Sequence, residues 1–235
     1  MFIEREERRV RMSTSDYLNN FFLGYLPYIA FGVFFAGFIY RVVKRNNTIQ
    51  ANSTQFISKD RGLYWGSLLF HYAIILVFFG HIFGLLTPKW AYEWFMSHET
   101  KRMLAIILGS LSGGVALLGI TVLTIRRFTN KRICATSKFQ DYFIVSLLLL
   151  QIALGLWSTY LTSQSTVEEY MSAGNWAQGV ALFKPDSWRF IADLDIVYKL
   201  HIVNGFLIFI LFPFTKLMHM IMIPIRFALD YFKKF

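Results

Sequence analysis

Cysteine is almost absent: the chain of 235 residues holds one, Cys134. A single cysteine makes no intramolecular disulfide and no CxxCH site for covalent haem attachment. No cleavable signal is recognisable either. The first twenty residues, MFIEREERRVRMSTSDYLNN, are polar and mixed in charge, and no short apolar core or A-x-A site follows them. Acids are scarce, 14 against 24 lysines and arginines, which leaves a net charge of +10. Such a surplus can mark a nucleic-acid partner. Here the basic residues cluster at the ends of apolar runs, which is the pattern of membrane topology, and no nucleic-acid partner is expected. Alternating segments of about ten residues are missing, which excludes a transmembrane barrel.

Apolar residues make up 55% of the chain and aromatics 18%. They gather in runs of about twenty, the length that crosses a bilayer. The runs are 21–43, 63–86, 104–124, 143–161 and 197–225. Five such runs exclude a soluble helical protein. Backbone polar groups in lipid are satisfied only by helices once a barrel is excluded. The chain is therefore expected to be all-α, a polytopic membrane protein with five transmembrane helices in a bundle, in contact with lipid. A polar tail (1–20) precedes the membrane domain (21–226), and a short end (227–235) follows it.

Five spans put the termini on opposite sides. The side with loops 41–62 and 125–142 and the C-terminus carries 14 basic residues against Asp60, Asp141 and Asp230. The other side keeps 10 basic and 11 acidic residues. The positive-inside bias places the C-terminus in the cytoplasm and the N-terminus outside. Trp90, Tyr92, Trp94, Trp157 and Tyr160 then form an aromatic belt at the outer interface. The longest loop, 162–196, contains NWAQGVALF (175–183), which fits a short amphipathic helix on the outer surface or an ordered loop.

Only five histidines are present, and four lie inside two spans: His71 and His81 in the second, His201 and His219 in the fifth. One histidine in a membrane reads as a hydrogen-bonded core residue or a proton relay. Four, confined to two antiparallel helices, make two facing pairs at matched depths, His81 with His201 and His71 with His219. The separations differ. Ten residues from His71 to His81 give about 15 Å of helix rise, and eighteen from His201 to His219 about 27 Å. Tilt and a bend at Pro213 are expected to absorb part of the mismatch.

Zinc prefers three or four ligands at one point, and each point here has two, with no acid inside the spans. Two opposed imidazoles suit the axial positions of a haem iron. Gly80, Gly84, Gly205 and the GSLSGG run (109–114) either let a flat macrocycle approach or serve plain helix packing. Arg126 and Arg127 are candidate partners for haem propionates and equally candidate topology anchors. His98 lies in the outer loop, one turn before Lys101 if that region is helical, either as a proton acceptor or as an exposed loop histidine.

The segments GHIFGLLTPKWAYEW (80–94), GSLSGG, TIRRFTNKRICATS (124–137), LLLLQIALGL (147–156), NWAQ and KLHIVNG…LFPFTKLMH (199–219) carry a resemblance. Over nearly the whole chain they resemble the respiratory nitrate reductase gamma subunit, a membrane cytochrome b. The resemblance implies two non-covalent haems b, with His81 and His201 on the iron of the outer, distal haem and His71 and His219 on that of the inner, proximal one. It implies a quinol site beside the distal haem, where Lys101 is the matching lysine. Menaquinol or ubiquinol would release its protons outside, and its electrons would pass inward to an iron–sulfur subunit and a molybdenum catalytic subunit. The place implied is the cytoplasmic (inner) membrane of a prokaryote. Similar cytochromes serve nitrite oxidoreductases and sulfite- or heterodisulfide-reducing complexes. Two other classes compete: a haem-free proton conductor, which needs polar pathway residues and often an inverted repeat, and a plain scaffold anchor. Neither pathway residues nor a repeat are visible.

Overall fold

The computed structural model describes residues 13–44 and 60–222. Calls on the first twelve residues, on most of loop 41–62 and on the C-terminal end beyond residue 222 fall outside these. The described residues are helical, with no strand among them. Helix α1 runs Thr14–Lys44, α2 Arg61–Leu86, α3 His98–Thr129, α4 Lys131–Thr136, α5 Phe139–Gln164, α6 Val167–Ala181 and α7 Ile196–Leu211. Five of them, α1, α2, α3, α5 and α7 with its following turn, are long and apolar enough to cross a membrane.

Side chains chosen by position start the helices. Ser13, Asp60, Ser97, Asn130, Thr166 and Asp195 each accept a first-turn backbone N–H, at the start of α1, α2, α3, α4, α6 and α7. The polar tail thus passes into helix at Thr14, seven residues before the apolar run. Helix ends are satisfied across the bundle. Arg102, buried on α3, donates to the carbonyls of Thr162, Ser163 and Ser165 at the end of α5. Gln178 of α6 donates to the carbonyls of Leu85 and Thr87 at the end of α2. Such carbonyls have no partner within their own helix.

The spans pack in the order α2–α3–α5–α7, with α1 against α7. Close approach depends on absent side chains. A Cβ on Gly119 of α3 would stand 2.5 Å from the backbone N and 2.8 Å from the Cα of Phe70, so the two helices touch backbone to backbone there. The GSLSGG run divides. Gly109 and Gly113 face Thr159 and Leu156 of α5, whereas Gly114 meets no described atom within 4 Å.

The 162–196 segment forms a longer helix than expected, and not a surface one. Trp176, Ala177 and Val180 of α6 are buried with Leu23, Trp188 and Ile191. Pro27 has no N–H for the carbonyl of Leu23 four residues back, and the Trp176 indole donates to that carbonyl at 2.9 Å. The local backbone is a π-turn, Asn20–Tyr25. The aromatic belt also loses a member. Trp90 and Trp94 are 79% and 81% exposed, but Tyr92 is 3% exposed and turns into the protein.

The expected fifth helix is interrupted at the expected bend, and its end at 225 lies outside the described residues. Regular helix stops at Leu211, two 3₁₀ turns follow, Phe212–Phe214 and Lys216–Met218, with extended backbone at Thr215, and helical backbone returns over residues 219–222. Pro213 is the reason, since its ring collides with a helical carbonyl and it offers no N–H. The turn is seated on α1, where a Cβ on Gly37 would stand 2.7 Å from Pro213 Cγ.

Candidate functional site

The break at Pro213 resolves the spacing of the histidines. From His201 to Leu211 is ten residues of helix, about 15 Å of rise, which equals His71 to His81 on α2. The seven residues 212–218 before His219 form the two turns and the extended Thr215 between them. The chain thereby brings His219 back beside His71. The ring centroids of His71 and His219 are 5.9 Å apart, and those of His81 and His201 are 6.0 Å apart. The ring planes of the first pair meet at 64° and those of the second at 28°.

All four rings are oriented in the same chemical sense. His71 Nδ1 donates to the Ser67 carbonyl at 2.7 Å and His81 Nδ1 to that of Val77 at 2.8 Å, each one turn back on α2. His201 Nδ1 donates across to the Gln151 carbonyl of α5 at 3.2 Å, and His219 Nδ1 to that of Lys216 at 2.5 Å. A carbonyl can only accept, so Nδ1 carries the proton and Nε2 keeps its lone pair. This second-nitrogen bond is the arrangement found behind metal-ligating histidines. The pair spacing fits one metal atom between the rings. Bonds of about 2 Å on each side, plus about 1.1 Å from each nitrogen to its ring centre, give about 6 Å between centroids.

Among the described residues no three of His, Cys, Asp and Glu come together. A metal held at either pair would receive two protein ligands, so the rest would come with the cofactor. Haem meets that requirement, and the setting admits it. A Cβ on Gly155 would lie 2.9 Å from His201 Cε1. Gly80, beside His81, and Gly84 have no described atom within 4 Å of where a Cβ would stand.

Two polar residues that spacing arguments passed over sit at the His81–His201 pair. Gln151 Nε2 lies 3.4 Å from His201 Nε2, and Asn204 Nδ2 donates to Gln151 Oε1 at 2.8 Å and to the Leu147 carbonyl. Their signal was present as single amides inside LLLLQIALGL and HIVNGFL, since polar groups within a span face the bundle interior.

Arg126 and Arg127 lie at the other end. Arg126 Nε pairs with Asp60 Oδ2 at 2.7 Å. Arg127 Nη1 reaches Ser137 Oγ at 3.3 Å and Asp141 Oδ2 at 3.8 Å. Any role toward a cofactor's carboxylates is shared with these contacts.

His98 and Lys101 are gathered, with a residue not foreseen there. His98 opens α3, and Lys101 lies one turn on. Lys101 Nζ stands 4.0 Å over the Tyr92 ring. The Tyr92 hydroxyl is 3.0 Å from His98 Nδ1, and His98 Nε2 is 3.3 Å from Glu93 Oε1. A neutral His98 that donates from Nε2 to the carboxylate accepts from Tyr92 at Nδ1. Burial, and to a smaller degree the Glu93 charge, push the Tyr92 phenol up, so it stays protonated.

Residues 19–234 match the family described as nitrate reductase gamma subunit. The chain belongs to that family. It is 41% identical to the respiratory nitrate reductase 2 gamma chain of Escherichia coli K12, over 90% of this chain and 94% of the relative. It is 36% identical to the respiratory nitrate reductase 1 gamma chain of the same strain over the same shares. The nitrate reductase gamma chain of Bacillus subtilis 168 is 34% identical over 87% of this chain and 92% of its own length. A nitrate reductase gamma subunit is one component of a multi-subunit oxidoreductase. The five apolar helices make this one a multi-pass membrane component.

Proposed function

We propose that this gamma subunit is the quinol-oxidising cytochrome b of its nitrate reductase, in the inner membrane, with its N-terminus outside and its C-terminus in the cytoplasm. The observation that carries the proposal is the pair geometry: two facing histidine pairs, about 6 Å between centroids, all four Nδ1 atoms bound to carbonyls. His81 and His201 hold the outer haem b, and His71 and His219 the inner one. Bound haem supplies a one-electron carrier at each of two depths. The iron–sulfur and molybdenum subunits take the cytoplasmic side, where the basic ends of α3 and α4 lie.

Quinol, menaquinol or ubiquinol, binds near the outer end of α2 and α3. Lys101 donates a hydrogen bond to a quinol oxygen and favours charge developing there. The Tyr92 hydroxyl, His98 and Glu93 form a hydrogen-bonded line to the exposed side, since Glu93 is exposed. His98 accepts a proton from that line and returns it to water outside. Gly80 leaves space beside His81.

Haem quantitation of the purified complex tests the proposal. Two b-type haems assigned to this subunit are expected, and one after His81→Ala or His201→Ala. Quinol-driven haem reduction should then fail. A subunit without haem in the assembled complex overturns the proposal.

A further inference from the structure

Three of the four paired histidines are oriented by regular helix: His71 and His81 by their own, His201 by α5. His219 is not. It follows the two 3₁₀ turns, and its Nδ1 depends on the carbonyl of Lys216 inside the second turn. The place of that carbonyl decides where the ring points.

We infer that Asp141 is a positioning residue for His219, acting through Lys216, and so sets the ligation of the inner haem. The inference rests on the bis-histidine reading above. Asp141 lies in the first turn of α5 and is 6% exposed. A carboxylate so placed is costly unless it is paired. Its Oδ2 accepts from Lys216 Nζ at 2.7 Å and from the Lys138 backbone N–H at 3.1 Å, with Arg127 Nη1 at 3.8 Å. The Lys216 side chain is partly exposed and has wide rotamer freedom of its own, so the buried acid holds it rather than the reverse.

The ion pair fastens the turn to α5 at the residue whose carbonyl orients His219. Met218, next to His219, is fully buried with Met222, Phe38 and Val42. The segment is thus held on both sides of the carbonyl, by packing against α1 and by charge against α5. Partners behind a metal ligand typically change affinity by about 10–100-fold when removed.

The test uses the whole complex in membranes with D141N, K216Q, K216R and H219A. Haem per complex and the low-field EPR feature of each oxidised haem are recorded, with redox titrations. H219A should remove one haem. K216Q and D141N should both weaken retention of that same haem about tenfold and move its EPR feature in the same direction. The other haem's feature should stay in place, and K216R, which keeps the pair, should resemble the wild type.

D141N also weakens the Lys138 N–H bond at the start of α5, because Asn Oδ1 accepts it without charge. K216Q leaves the Asp141–Lys138 bond intact, and it decides the case if D141N fails to assemble. A purely electrostatic influence predicts opposite potential shifts for D141N and K216Q with unchanged EPR features, and that result overturns the positioning role. So does a K216R that behaves like K216Q. If H219A loses a haem while K216Q leaves its feature and retention unchanged, positioning fails and the bis-histidine reading stands. If H219A retains both haems, the bis-histidine reading itself fails.

Discussion

Gly119→Ala tests the helix contact that places His71. The added methyl would stand 2.5 Å from Phe70 N and 2.8 Å from Phe70 Cα. Favourable contacts between heavy atoms begin near about 3.5 Å, so α2 must retreat from α3 by roughly 1 Å. The obstacle is backbone, which cannot rotate away as a side chain can. Overpacking of this kind costs about 1–3 kcal/mol. Phe70 directly precedes His71, so the retreat changes the His71–His219 span and leaves the His81–His201 pair, about 15 Å further along α2, less affected. A control isolates helix propensity. Gly32 of α1 meets no described atom within 4 Å of a Cβ. Gly32→Ala should be neutral or stabilising by up to about 1 kcal/mol. Thermal unfolding of the detergent-solubilised complex and haem content per complex are the assays. Gly119→Ala should unfold at lower temperature and lose inner-site haem first. Unchanged unfolding and haem content in Gly119→Ala, or parallel behaviour of both variants, would refute the contact argument.

Lys101→Met should leave both haems bound yet slow quinol-driven haem reduction, and His98→Gln should slow it about a hundredfold or more if His98 carries the proton; stopped-flow absorbance reads both. Asp60 is held below the usual carboxylate range, first by its hydrogen bond from Arg126 and then by the Leu63 N–H. With the folded value depressed, its contribution is present above about pH 3.9 and is lost as pH falls through the folded value. The pair is partly exposed, so that contribution is at most about 1 kcal/mol, and Asp60→Asn should flatten the acid limb of a melting-temperature profile. Trp176→Phe leaves the Leu23 carbonyl without its indole donor and should cost about 1–3 kcal/mol, seen as earlier unfolding with haem spectra unchanged before the transition.

The five spans were legible because lipid leaves the backbone few options, and a run of twenty apolar residues has little else to be. The histidine pairs were legible for a related reason: polar residues in hydrocarbon are few, and antiparallel helices match them by depth. What the sequence concealed lies where two rules met at one residue. Pro213 was visible as a bend, but whether the helix resumes after such a bend depends on what receives it. Gly37 receives it here, 176 residues away, and helical backbone returns only at residues 219–222. The two turns fall between His201 and His219, and both histidine pairs still close to about 6 Å. The break also leaves His219 at the first residue of the resumed helix, so the carbonyl behind its Nδ1 belongs to the 3₁₀ turn. An ion pair between α5 and the turn then takes over what helix geometry supplies to the other three histidines. Asp141 looked like one of three scattered acids on a basic face, and only the fold shows that a carboxylate sunk at a helix start can hold a broken span in register. The same break sets one ligand apart from the other three, with carbonyls of regular helix behind His71, His81 and His201 and an ion-paired turn behind His219.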